Sequence, residues 1–265
     1  MLSNLLLEIY QKHCKEIIMD KVELGSRTAK EGFKNESFVI EIFNNWKNES
    51  LAQEWLKAMG YNLREIENVN ATKIKGSFKA DVQVVVLVQI KLQKLQDVQN
   101  IQVKLVSNPQ GFNQIDKRWL ESYQELWNIP NDIYEILQYF VGEIPPKIEN
   151  PKDARRMFFN EFSINEQKKI LRFFSENQAL IVNDILKGRG QFASEWFLVI
   201  LRLESLQWIL KPINEVINFY GGKVEFSPQG SLKIGKITMQ RKGGDGGRES
   251  AKMLQFKINP CELFG

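Results

Sequence analysis

A chain of 265 residues with 43% hydrophobic content can bury a substantial core, in one large domain or two modest ones. Its only cysteines, Cys14 and Cys261, lie at opposite ends and His13 is its one histidine, which excludes a disulfide framework and a histidine–cysteine zinc site. The charge of +4 is mild, the longest apolar runs (Val84 to Val88, Trp196 to Leu201) are too short to span a bilayer, and no secretory h-region opens the chain, so the expectation is a cytoplasmic protein with no membrane partner.

In chain order, Leu2, Leu5, Leu6, Ile9 and Tyr10 stand at helical spacing, and residues 1–20 read as an N-terminal helical extension. A second helix is expected from Lys30 to Trp46 and a third from Glu49 to Met59, closed by Gly60 as a C′ glycine. A β-hairpin follows over residues 80–107, its β-branched strands separated by a polar stretch from Lys91 to Gln99. After a Pro-Gly turn at residues 107–112, helices are expected from Asn113 to Trp127 and from Ile133 to Val141. Glu143-Ile144-Pro145-Pro146 reads as a linker, which divides residues 21–142 from 147–265.

Ser163 and Glu166 form a capping-box pattern ahead of a helix to about Ser175. Leu180 to Leu186 is short and helical or extended. Glu195 to Leu210 is either a central strand or a buried helix, interrupted by Pro212. Ile213 to Tyr220 is helical. The tail alternates β-like segments with turns: Val224 to Phe226, Leu232 to Arg241 and Met253 to Ile258.

The hairpin carries the first chemical signal. Side chains alternate across a strand, so Gln102 and Lys104 share one face and Val103 points the other way. If the strands pair, Asp81 sits beside both, in the D…(D/E/Q)xK arrangement of metal-dependent nucleases. Asp81 and the Gln102 amide oxygen would hold Mg²⁺, with the Val103 carbonyl as a further ligand. Lys104 would stabilise charge developing on a phosphate. Glu36 would add a carboxylate through an intervening water, or is a solvated helix glutamate. The bland alternative for the trio is a strand-opening Asp and a solvated strand Lys.

The second signal is charge. From Lys233 to Lys257, seven basic residues stand against two acidic ones, +5 on an otherwise near-neutral chain, which suits a polyanion met by one face. Within it lies Gln240-Arg241-Lys242-Gly243-Gly244-Asp245-Gly246-Gly247-Arg248. Arg241 and Lys242 would bond guanine O6 and N7, Asp245 would accept from cytosine N4, and Gln240 and Arg248 would add DNA contacts. The alternative is a loop with solubilising charge. Phe112, in a loop after the second strand, would wedge between base steps with Gln114 beside it, or fold back onto the core. Arg155-Arg156 and Lys187 to Gly190 are weaker phosphate-contact candidates.

From about Lys21 onward the chain resembles type II restriction endonucleases of the HinP1I type, a group structurally related to MspI. The resemblance rests on Val22 to Ser26, Gly32 to Glu36, Asn100 to Asn108 (NIQVKLVSN), Gly111 to Lys117 (GFNQIDK), Asn214 to Val216, Gln240 to Gly244 (QRKGG) and Met253 to Ile258 (MLQFKI). It implies an α/β (α+β) fold: a PD-(D/E)xK-type nuclease core with a mixed β-sheet flanked by helices over residues 21–142, plus a DNA-recognition region over 147–265. It implies Mg²⁺-dependent cleavage of double-stranded DNA at GCGC, after the first G, leaving two-base 5′ overhangs. It also implies bacterial cytoplasm, a cognate cytosine methyltransferase that protects the host, and a monomer, or a dimer, on DNA. Asp81, Gln102 and Lys104 take the family's catalytic positions, and Phe112 its intercalating one. One departure is Ala80, where the family has Ser before the catalytic Asp; another is a slightly longer hairpin. The rivals to an endonuclease are a catalytically silent sequence-specific DNA-binding protein, favoured by Ala80 alone, and a structure-selective repair nuclease.

Overall fold

The computed structural model describes residues 36–76, 78–90, 93–244 and 248–265; the expected helix over 2–18 and Asp245 lie outside them. Helical residues 36–44 (α1) and Ser50–Ala58 (α2) precede the first sheet. Gly60 takes φ 91° just past α2, a backbone shape that favours glycine at a helix C-terminus.

The first sheet has order β1-β2-β3-β5-β6. Its strands are β1 (Ile66–Lys73), β2 (Val82–Ile90), β3 (Gln93–Val106), β5 (Trp196–Arg202) and β6 (Leu206–Pro212). All neighbours are antiparallel except β3 and β5, which run parallel, so the sheet is mixed. The second sheet is antiparallel, order β4-β10-β9-β8-β7, from β4 (Asn113–Arg118), β7 (Val224–Phe226), β8 (Leu232–Ile234), β9 (Ile237–Arg241) and β10 (Leu254–Ile258). Helices α3 (Leu120–Trp127), α4 (Asn131–Val141), α5 (Ile164–Glu176), α6 (Gln178–Leu186) and α7 (Ile213–Tyr220) complete the fold. Each sheet takes strands from both sides of residues 143–146.

Period-two alternation explains β2. Val82, Val84, Val86 and Val88 all point to one face, where Phe43 of α1 and Trp55 and Leu56 of α2 cover them. Trp55 is fully buried, and truncating such a ring costs about 3–5 kcal/mol. The other face joins Phe197, Val199 and Leu201 of β5 to α3–α7 and to Leu232, Ile237 and Phe256 of the second sheet. One core therefore holds the two sheets in register with each other. The Ser163–Glu166 capping box forms as expected, Ser163 N–H donating to Glu166 Oε2 at 2.9 Å and Glu166 N–H to Ser163 Oγ at 3.3 Å.

Three expectations change. Residues 113–118, expected to begin a helix, form β4 because Ile115 and Asp116 face the interior and the backbone pairs with β10. Only Leu120–Trp127 is helical. The polar stretch before Gln99 is strand from Gln93 on: β2 supplies its backbone partners out to Ile90, while its side chains stay in water and need no apolar pattern. The ambiguous run from Glu195 to Leu210 is two strands, β5 and β6, and Leu180 to Leu186 belongs to α6.

Candidate active site and nucleic-acid interface

Asp81 stands just ahead of β2. Its N–H donates to Ile101 O (2.9 Å) and its carbonyl accepts from Ile74 N–H (3.1 Å), so hydrogen bonds to two chain segments fix its backbone. The β2–β3 ladder ends at Val82↔Ile101. One step further, the Val103 N–H turns to the side chain of Asp81 and donates to Oδ2 at 2.7 Å. A strand residue directs its N–H and C=O to the same edge, so the Val103 carbonyl lies on the Asp81 side too.

Ile101 and Val103 pack under α1 and α2, which leaves Gln102 and Lys104 on the opposite face with Val106. Gln102 is 2% exposed, and its Oε1 is buried with no hydrogen-bond partner. An unpaired buried oxygen of this kind costs about 1–3 kcal/mol unless something fills its lone pairs. Asp81 is under the same strain: burial holds its carboxyl above the usual range, although Lys104 and the Val103 N–H pull it down. A buried carboxylate, with an amide oxygen and a main-chain carbonyl on the adjoining strand, offers hard donors of the kind a divalent cation such as magnesium takes, although the Gln102 side chain does not line the cleft that Asp81 and Val103 share. Among the described residues no three His, Cys, Asp or Glu side chains converge, so this set rests on one carboxylate with neutral oxygens around it.

Asp81, Val103, Lys104 and Glu36 line one cleft of about 720 Å³ with Phe112, Gln114, Gln255 and Lys257. Glu36 is ion-paired to Lys73 of β1 at 2.5 Å. Phe112 is 55% exposed on the wall of this cleft, not folded into the core. Lys257, which the sequence did not single out for the cleft, adds a half-buried cation whose pKa burial lowers.

A buried polar network behind the cleft also went unforeseen. Lys79 reaches from the segment before Asp81 to an ion pair with Asp116 of β4 and donates to Ile115 O (2.9 Å). Asp116 also accepts from Arg118 Nε (3.1 Å) and from the Tyr123 hydroxyl (2.7 Å). Burial lowers Lys79 to about 8 despite Asp116. Burial opposes ionisation of Asp116 as well, but Lys79, Arg118 and Tyr123 hold it below the usual value. This ion pair ties the segment before Asp81 to the second sheet.

The recognition candidates separate. Gln240 lies in β9 opposite Gln255, and the Lys242 N–H donates to Met253 O at 2.8 Å. Arg241 and Arg248 line a second cleft of about 440 Å³ together with Arg155 and Arg156.

A mixed sheet flanked by helices, with a desolvated carboxylate and a lysine in one cleft, defines a nuclease of the restriction-endonuclease class. The crystal structure of restriction endonuclease MspI in complex with its cognate DNA is similar to this chain, with a TM-score of 0.55 and 12% identity, covering 84% of this chain and 87% of that one. The model of the R.HinP1I restriction endonuclease family matches residues 59–264, and the chain belongs to that family. It is a type II restriction endonuclease, a site-specific deoxyribonuclease. No curated protein matches the chain. No helix among the described residues is long and apolar enough to cross a membrane.

Proposed function

We propose that this endonuclease hydrolyses one phosphodiester per strand at GCGC, after the first G, with Mg²⁺, leaving two-base 5′ overhangs. The observation that carries the metal reading is the desolvated Asp81 carboxylate, bonded to the Val103 N–H one residue along the strand from the orphaned Gln102 Oε1. Asp81, Gln102 and the Val103 carbonyl would hold the cation, with Glu36 reached through an intervening water. When bound, it supplies Lewis acidity at the phosphate and eases deprotonation of a water. Lys104 directs its ammonium into the cleft, where it offsets charge gathering on the phosphate oxygens. Lys257 reinforces that field. Phe112 enters the duplex as an apolar wedge, and Gln114 supports the disturbed base pair.

Family membership supports the GCGC target, and the basic stretch from Gln240 to Arg248 is the surface that meets the duplex. Within it Lys242 and Asp245 take base edges, Arg241, expected with Lys242 to read guanine, lines the cleft with Arg155 and Arg156, and Gln240 and Arg248 contact the same DNA. A cytosine methyltransferase protects host DNA, and the enzyme works as a monomer in the bacterial cytoplasm. Ala80, 3% exposed, is the one feature that favours a catalytically silent DNA-binding protein.

The test is incubation of unmethylated plasmid with protein and Mg²⁺, followed by sequencing of the ends. Discrete fragments bounded by GCGC support the reading. Ends at another sequence overturn the target, and intact plasmid overturns the catalysis.

A further inference from the structure

The second cleft lies between the loop after α4 and the end of β9, away from the catalytic cleft. Gly142, at φ 81°, closes α4 there, and a Cβ at this position would meet the Arg155 carbonyl oxygen at 2.4 Å. The absent side chain lets the loop carrying Arg155 and Arg156 lie against the helix end. Arg155 is committed: its Nε and Nη2 donate to the two oxygens of Asp153, both at 2.9 Å.

Arg156 is held differently. Its guanidinium stacks over Phe158 at 4.0 Å and approaches Phe140 at 5.5 Å, while its Nε is 3.8 Å from Asp153. Its Nη1 is buried and has no partner. Arg241 presents the same deficiency, with a buried Nε that has no partner among the described residues. Burial lowers the pKa of both arginines, and neighbouring guanidiniums add to it. Two carboxylates, Asp153 and Glu143, line the cleft against four arginines and Lys252, so its wall is net positive, and Asp153 is shared between Arg155 and Arg156. Two guanidiniums that line one basic cleft and lack a full set of partners among the described residues suit an anion with acceptor oxygens. A base edge offers acceptors but no charge; a phosphodiester offers both.

The cleft also lies within reach of DNA in the catalytic cleft. Gln255 of β10 lines the catalytic cleft and donates from Nε2 to the Arg241 and Lys242 carbonyls, each at 3.4 Å. The paired strands β9 and β10 thus each line one of the two clefts, β9 through Arg241 and β10 through Gln255 and Lys257. Gly243 and Gly244 form part of the arginine cleft's wall, with no atom within 4 Å of where a Cβ would stand, so backbone there is open to a bulky ligand.

We infer that Arg156 and Arg241 form a clamp for one backbone phosphate of the bound duplex, outside the scissile step. The inference rests on the duplex-DNA reading above. It assigns Arg241 to phosphate and leaves base readout to its neighbours. Arg156, set on two aromatic rings, is a pre-ordered donor that positions the duplex and carries no sequence preference.

The test uses Arg156→Met, which keeps an apolar stem against Phe140 and Phe158 and removes the charge. Binding is measured without Mg²⁺, on a GCGC duplex and on an unrelated duplex, across a salt series. Both affinities should fall by roughly ten- to a hundredfold at low salt, and the slope of log K against log salt should shrink by about one. In the unaltered enzyme, a scan of neutral methylphosphonate substitutions along the GCGC duplex should reveal one position, outside the scissile step, that weakens binding. In Arg156→Met that position should have no further effect. The scan on unaltered enzyme stands even if the variant fails to fold.

An unchanged salt slope with lost discrimination at one base pair would make Arg156 a base reader and overturn the clamp. Unchanged binding throughout would also overturn it. A melting temperature that rises with inorganic phosphate in an Arg156-dependent way, while the DNA salt slope ignores Arg156, would place a free-anion site here and overturn it too. Failure of the unaltered enzyme to prefer GCGC would instead strike the proposed target and leave the salt slope to decide the clamp.

Discussion

The Val103 N–H donates to Asp81 Oδ2 at 2.7 Å, from the strand that also carries Gln102 and Lys104. One backbone bond thus fixes the carboxylate against the strand whose side chains complete the site. The same burial that orders Asp81 disfavours its charge.

This gives Asp81→Asn two expected outcomes. Cleavage is abolished while duplex binding is retained or tightened, because a negative charge near phosphate is removed. The metal-free variant is also more stable than the parent at neutral pH. The sign follows from the raised pKa: the folded state holds the Asp81 proton more tightly than the unfolded chain, so its stabilisation is full below the unfolded value and is lost as pH rises through the folded one. Melting temperatures should therefore diverge toward neutral pH and converge in acid, by roughly 2–4 °C for each kcal/mol. Equal melting at all pH values would refute the electrostatic part.

Gln102→Glu adds a carboxylate where Oε1 now lacks a partner. The metal-free variant should be less stable, by roughly 3–5 kcal/mol if the new charge stays buried and unpaired. Mg²⁺ should restore part of that, and the metal midpoint for cleavage should move to lower concentration. Calorimetry with and without Mg²⁺, together with a cleavage titration, checks both; a midpoint that does not move would remove Gln102 from the metal.

Phe112→Ala should leave the fold nearly untouched, within about 0.5 kcal/mol, because the ring is more than half exposed. Specific affinity and DNA bending should fall, since a methyl group cannot replace lost base stacking. Fluorescence transfer across an end-labelled duplex reads the bend. A large loss of stability with bending intact would contradict the wedge.

Lys79→Met leaves Asp116 with Arg118 and Tyr123 but without its buried cation. The expected cost is about 3 kcal/mol in urea denaturation, the lower end for a broken buried pair because two partners remain. Replacing Asp116 by Leu in the same chain should recover much of it, a non-additivity that independent sites do not produce.

The local signals in the sequence were reliable where each residue's environment is set by its near neighbours. The capping box at Ser163 and Glu166, the glycine after α2 and the valine alternation of β2 each carry their reason within a few residues. Strand periodicity places Gln102 and Lys104 on one face, and the hairpin brings Asp81 beside their strand, where Asp81 and Lys104 share a cleft. Tertiary structure alone decided the rest. Residues 113–118 became a strand because β10, far along the chain, supplies their backbone partners. The exposed half of β3 has no apolar pattern because pairing with β2, not burial, holds it. Lys79 meets Asp116, and Arg156 meets the same cleft as Arg241, only once the two sheets share one core. Charge pairing and desolvation depend on distances between segments remote in sequence, and those distances come into being only when the core closes.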